Sequence, residues 1–441
     1  MNMRDDARRI LDAAVAAVDP RGAVLRALRR EGDVLSVAGA ETVELGEVER
    51  VLIVGAGKGA AAMARGALEV LGDRVAGGTI TVPHGARAKV PEMEVWEAAH
   101  PVPDTHGLAG AVAALDLARG AGERDLVLCL LSGGASALWP CPPPAVGLGD
   151  VAEVTRALLR AGAEIGSVNA VRKHLSRIAG GGLARAAQPA RVVALALSDV
   201  AGGRLEVIAS GPTVPDSSTY AEAMEVLRRH GVQAPASVVA HLQAGAAGTI
   251  AETPRAGDPA FRRSSAHVVG SVRDALEGAA RAAEELGYRA EIVADHLEGE
   301  ARDVARDIAA RVRRRRAENV DGHPRALLLG GETTVTVHGT GRGGRNQELA
   351  LALALEIAEE DGTVAAALGT DGVDGPTPAA GAIVDSGTVA RGRERGEDAR
   401  AALDRNDSYH FFRATGEAVV TGPTGTNVGD VVLVLLGGAG V

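Results

Sequence analysis

"VLIVGAGKGAAAMARG", residues 51–66, decides how the rest of the chain is read. Val51 to Val54 predict a buried strand, Gly55, Gly57 and Gly59 a tight turn, and the alanine-rich run behind them a helix. Gly55, Gly57 and Ala60 fit the GxGxxG/A spacing of a dinucleotide-binding turn. Lys58 has no place in that pattern. A cation at the mouth of an anion-binding turn points to a phosphate that is handled there rather than merely held.

Two further readings of the loop narrow it. A dinucleotide site wants an acidic residue roughly twenty positions on, at the end of the next strand, to bind the ribose. That strand ends here in Thr81, Val82 and Pro83, with no carboxylate. A Walker A loop wants GxxxxGK followed by Ser or Thr, which "GAGKGA" does not supply. The turn is therefore a generic anion-binding loop with a lysine added, and a close helix-to-strand turn is the alternative.

The same order of apolar run, small-residue turn and helix recurs at 126–137 ("LVLCLLSGGASA") and 192–203 ("VVALALSDVAGG"). Near-continuous aliphatic strands alternating with helices imply a parallel sheet covered on both faces, with ligands bound beyond the carboxyl ends of its strands. Between about Val232 and Arg263 the composition turns to Ala, Gly, Pro and Thr. This places a domain boundary there, with one α/β domain over 1–240 and a second over 260–441. In the second, "AHVVGS" (266–271) reads as its first strand and "RALLLGGETTVTVHG" (325–339) as two strands about a Gly-Gly turn.

A length of 441 residues suits two domains, and 46% hydrophobic with 24% charged residues suits a globular protein. Aromatic residues are only 2%, so the core must be Ala, Val and Leu. A formal charge of −10 argues against nucleic acid as a partner. No apolar run is long enough for a signal peptide or a membrane span, and Cys129 and Cys141 make neither a disulfide framework nor a metal site. The expected location is the cytoplasm, away from membranes.

Several other loops have the residues for chemistry. Ser132, Gly133, Gly134 and Ser136 lie at a predicted helix start, where stacked N–H groups and two hydroxyls suit a phosphate or carboxylate, or where Ser132 simply caps the helix. Asp199 follows an apolar strand and is placed to bind a divalent cation or a hydroxyl, or to cap a turn. "GGETT" offers Glu332; "GRGGRNQE" offers Arg345 and Asn346 at a helix entry, where a guanidinium suits a phosphoryl group or carboxylate. Asp371 and Asp374 in "GTDGVDGPT" are candidate cation ligands, with an Asx turn as the competing explanation. His100 and His106 show no metal-ligand spacing.

Taken in order, "GAGKGA", "HPVPD", "LSGGASAL", "NAVRKHLS", "SDVAGG", "VIASGPTVPD", "GGETTVTV", "GGRNQE", "GTDGVDGPT", "NDSY" and "TGPTGTNVGD" closely resemble the glycerate 2-kinase family, from about residue 7 to 437. The resemblance implies a Rossmann-like three-layer α/β domain with a parallel sheet, a smaller MOFRL-type α/β domain, and an active site in the cleft between them. It implies ATP-dependent phosphorylation of D-glycerate to 2-phosphoglycerate with Mg²⁺. The family's catalytic lysine and arginine match Lys58 and Arg345. Gly55, Gly57, Ser132, Gly133, Gly134, Ser136, Asp199, Glu332, Asn346 and Asp371 fall to substrate or nucleotide, and Asp199 and Asp371 to the metal. A homodimer is compatible with this reading. Because family members have also been labelled hydroxypyruvate reductases, an NAD(P)H-dependent reductase is the alternative, and a non-catalytic nucleotide- or phosphate-binding protein is a third. The chain departs from the family pattern at Ala135, Ala179, Gly203 and Arg204. Ala135 puts a Cβ where the pattern leaves backbone open to a ligand.

Overall fold

The computed structural model describes residues 2–86, 89–318 and 322–438. The chain divides into two compact units. One comprises Pro20–Ser198 and Gly203–Val269; the other Met1–Asp19, Asp199–Gly202 and Gly270–Val441.

The first unit begins with a small antiparallel sheet of β1 (Leu28–Glu31), β2 (Val34–Val37) and β3 (Glu41–Glu44). Its main sheet holds β4 (Val51–Ala56), β5 (Val75–Pro83), β6 (Met93–Ala98), β7 (Leu126–Leu131), β8 (Arg191–Leu197) and β9 (Ser264–Gly270), in the spatial order β6-β5-β4-β7-β8-β9. The pairs from β6 through β8 are all parallel. In β4 and β7 every residue is buried, so both faces are covered, which is why these strands read as unbroken apolar runs. Val51, Ile53, Leu126, Leu128, Leu130, Val193 and Leu195 share one core with helix Ala60–Leu71, while Leu52, Val54, Val127 and Cys129 are buried on the opposite face. Burial pushes the Cys129 thiol well above its ordinary range, so it behaves as a small apolar side chain.

Strand β9 corrects one expectation. The stretch 266–271 joins the edge of this sheet beside β8 instead of opening the second set of elements. The small sheet over 28–44 has no counterpart in the sequence reading.

The second unit is built on a mixed sheet of β10 (Arg289–Leu297), β11 (Arg325–Gly331), β12 (Thr363–Gly369), β13 (Gly381–Asp385), β14 (Ala418–Val419) and β15 (Asp430–Leu436), in the order β10-β11-β15-β12-β13-β14. Only β10 and β11 run parallel; the other pairs are antiparallel. One face packs Leu327, Leu329, Val432 and Val434 under helices Ala301–Ala317 and Arg345–Glu356. The other packs Leu328, Ala366, Leu433 and Leu435 against helices Met3–Ala17 and Val272–Glu285. The N-terminal helix is pinned there by Tyr288, whose hydroxyl donates to Asp6 Oδ2 at 2.9 Å.

The second strand expected within 325–339 does not form. The Thr336 N–H donates to both carboxylate oxygens of Glu300, and the His338 and Gly339 N–H groups donate to Asn406 Oδ1. Side chains satisfy the donors that a neighbouring strand would otherwise take. Among the described residues, no helix is long and apolar enough to cross a membrane.

Candidate active site

In the first unit the lysine loop and the serine-glycine loop interlock. Ser132 N–H donates to Ala56 O at 3.1 Å, Lys58 N–H to Gly133 O at 3.0 Å, and Gly59 N–H to Ser132 Oγ at 2.9 Å. Gly57 lies at φ +130°, and a Cβ built there would stand 2.2 Å from Ser132 Oγ and 2.5 Å from its carbonyl oxygen. The glycine that mimicked a dinucleotide fingerprint is thus required by the neighbouring loop. Lys58 is half-buried where β4 gives way to helix Ala60–Leu71.

Ser132 does not cap the helix that follows it. It accepts from the entry of helix Ala60–Leu71, and the run Ala135–Leu138 makes only one helical turn. Gly134, at φ +88°, lies against the His100 ring, which a Cβ would approach to a tight 3.1 Å. Ser136 Oγ is 3.1 Å from Ser210 Oγ. Ser210 belongs to a left-handed run, Ala209, Ser210 and Gly211 at φ 52°, 58° and 64°. For the two non-glycine residues this costs on the order of 1 kcal/mol each. The run is held by N–H donation from Gly180 to Ser210 O at 2.9 Å and from Gly181 to Gly211 O at 2.7 Å. Beneath it, Lys173 Nζ and Asp216 Oδ1 form a buried ion pair at 3.2 Å. Burial acts to raise the Asp216 carboxyl, but Lys173 and the bonds from Ser218 outweigh it and hold the group below its usual range. Neither Lys173 nor Asp216 stands out from sequence alone.

In the second unit, Arg345 opens helix Arg345–Glu356 and forks onto Asp430 at the start of β15, with Nε to Oδ2 at 2.6 Å and Nη2 to Oδ1 at 3.0 Å. Its Nη1 bonds Glu332, just past the end of β11. The bidentate face expected to meet a phosphoryl group or carboxylate is therefore occupied by a protein carboxylate. Burial works against the guanidinium charge, but Asp430 and Glu332 prevail and hold it above its ordinary value. Glu332 is half-exposed yet crowded by protein, and it also lies in the fields of Asp430 and Asp199. Its carboxyl sits above the usual range, with Arg345 opposing the shift. Asn346 Nδ2 donates to Asp430 Oδ1 at 3.0 Å, completing the cradle of that buried carboxylate.

The remaining acidic candidates have different environments. Asp374 is buried and caps helix Arg345–Glu356. Its Oδ1 accepts from Asn346 N at 3.0 Å, and its Oδ2 accepts from Gln347 N and Nε2, each at 2.9 Å. Both oxygens have structural partners, so Asp374 is withdrawn as a cation ligand. Asp371 Oδ1 accepts from Val373 N at 3.0 Å, the expected Asx-type bond, and Asp199 Oδ2 accepts from Asn427 Nδ2 at 3.1 Å. Asp199 adds its field at Glu332 and Asp371 at Asp430, the two carboxylates that hold Arg345. Asp430 and Asn427 were missed as site residues. The one available signal was the polar run "TGPTGTNVGD" immediately ahead of an apolar strand.

The fold and loops define a two-unit α/β protein with a lysine-bearing glycine turn in one unit and an arginine–carboxylate cluster in the other. Residues 6–243 match the domain family described as a domain of unknown function (DUF4147), and residues 325–430 match the MOFRL family. A D-glycerate 2-kinase of Thermotoga maritima is 41% identical over 90% of this chain and 93% of its own length. A protein of Agrobacterium vitis with the provisional name hydroxypyruvate reductase is also 41% identical, over 99% of this chain and 95% of its own. The crystal structure of a glycerate kinase from Thermotoga maritima superposes with a TM-score of 0.85 at 39% identity, covering 98% of this chain and 99% of that one. The chain belongs to the glycerate 2-kinase family.

Proposed function

We propose that the chain is a glycerate 2-kinase, transferring the γ-phosphoryl group of ATP to the 2-hydroxyl of D-glycerate. The observation that carries this reading is the 41% identity to a D-glycerate 2-kinase along 90% of the chain. Phosphoryl transfer depends on positioning and charge neutralisation more than on covalent chemistry, and the residues assigned here supply both.

Lys58 is assigned to the transferring phosphoryl oxygens. Its backbone is fixed by Gly133, and its half-buried setting strengthens the field of its charge. Gly57 allows the close approach of the second loop, and Gly55 that of Leu130 in β7. Ser132, Gly133, Gly134 and Ser136 are assigned to hold anionic oxygens, with Ser132 retaining its hydroxyl proton as a donor while accepting from Gly59. Arg345 is assigned to substrate through its guanidinium nitrogens, with Asp430 and Asn346 fixing its plane and Glu332 holding Nη1 until substrate displaces it. Mg²⁺ would neutralise charge on the phosphates. Asp199 and Asp371 fit it as hard oxygen donors whose fields reach Glu332 and Asp430. The cytoplasm as location and a homodimer as assembly belong to the same proposal.

The reductase is the second reading, kept because of the name of the Agrobacterium relative. The absence of an acidic residue after Val82 counts against it. A coupled assay separates the readings. The kinase releases ADP only when glycerate and ATP are both present, the reductase oxidises NAD(P)H with hydroxypyruvate, and a binding protein does neither.

A further inference from the structure

His84 follows β5, while Asp104 and His106 stand at the start of helix Thr105–Arg119. One ligand atom from each lies within 4.8 Å of the other two. His84 Nε2 is 2.9 Å and His106 Nδ1 is 3.6 Å from the same oxygen, Asp104 Oδ2. We propose that His84, Asp104 and His106 form a binding site for a zinc-class divalent cation, separate from the phosphoryl-transfer residues.

Three features support this. The two distances bracket the edge of a tetrahedron about zinc, about 3.3 Å for metal–ligand bonds of about 2.0–2.1 Å. Two imidazole nitrogens and one carboxylate favour zinc, nickel, copper or cobalt over magnesium, whose preference is for oxygen. The two rings meet edge to face with centroids 5.7 Å apart, so both nitrogens converge on the carboxylate without stacking.

The carboxylate itself is preset. Asp104 Oδ1 accepts from Gly107 N at 2.9 Å and Oδ2 from Ala99 N at 3.1 Å. A His84–Asp104 hydrogen bond engages His84 directly, while His106 makes only the longer contact to the same oxygen and an edge-to-face contact with the His84 ring. At 3.6 Å His106 is too far for a hydrogen bond to Asp104. The histidine side chains are 51% and 65% exposed, so a cation reaches them from solvent. Binding would tie the end of β5 to the loop 99–104, whose His100 packs on Gly134.

The test uses the untagged full chain stripped with chelator and titrated with Zn²⁺ by calorimetry, with Co²⁺ absorbance as a second readout. Wild type is expected to bind one Zn²⁺ per chain, and His84→Ala and His106→Ala each to weaken binding at least about tenfold. Both variants should melt like wild type when no metal is present, because neither histidine is buried. The proposal is overturned if wild type takes up no stoichiometric zinc, or if either variant binds it as tightly as wild type.

Discussion

Arg345 and Asp430, 85 residues apart in sequence, meet in a two-pronged ion pair at 2.6 and 3.0 Å that joins the start of a helix to the start of a central strand. Asp430 is 4% exposed, so its charge depends on that partner. Replacing it with asparagine keeps the shape but removes the charge. Asp430→Asn is expected to lower stability by about 1–3 kcal/mol, less than a fully buried pair would lose because the Arg345 side chain is 35% exposed. Urea denaturation measures this. Steady-state assay of the same variant should show a raised KM for glycerate as Arg345 loses its fixed plane.

Lys58→Ala is expected to reduce kcat at least about a hundredfold, the usual effect of removing one electrostatic contact to a developing charge. The Lys58 N–H bond to Gly133 O does not involve the side chain and is retained in the variant. A fully active alanine variant with an unchanged melting curve would remove Lys58 from the mechanism.

Gly57→Ala tests the interlock of the two loops. A methyl group there collides with Ser132 and sits at φ +130°, so a loss of about 1–3 kcal/mol is expected by thermal or urea unfolding. Ser132→Ala in the same background should recover only part of the loss, because the Ser132 carbonyl oxygen, 2.5 Å from the new Cβ, remains.

The Lys173–Asp216 pair predicts acid sensitivity. The folded-state pKa of Asp216 is depressed, so its contribution is fully present above the ordinary aspartate value of about 4 and is lost as pH falls through the lower folded value. Asp216→Asn should therefore be less stable than wild type at neutral pH, and the gap should narrow below about pH 4. A gap that stays constant between pH 7 and pH 3 would mean the carboxylate charge contributes nothing.

Much of the first unit is legible because its strands are buried on both faces. Val51–Ala56, Leu126–Leu131 and Arg191–Leu197 announce themselves as apolar runs, and the loops after them could be placed at once. The small sheet over 28–44 could not. Its four-residue strands, such as "LRRE" and "ETVE", are partly exposed and too polar to register as a pattern. Strand β9 was misplaced because the chain returns to the first sheet only after the Ala-Gly-Pro tract, a long-range choice that local composition does not encode. The site divides in the same way. Lys58 and Arg345 stand out as cations in glycine-rich loops. Asp430 reads as the first residue of a strand, and its role comes only from a partner far along the chain. Asp374 resembles a cation ligand until the helix it caps is in view.

The central claim is phosphoryl transfer to the 2-hydroxyl of glycerate, and phosphorus-31 NMR of the product mixture tests it most directly. With ATP, Mg²⁺ and D-glycerate, the purified chain is expected to produce the 2-phosphoglycerate resonance with equimolar ADP. A resonance from 3-phosphoglycerate in its place, or no transfer while hydroxypyruvate drives NAD(P)H oxidation, would contradict the account.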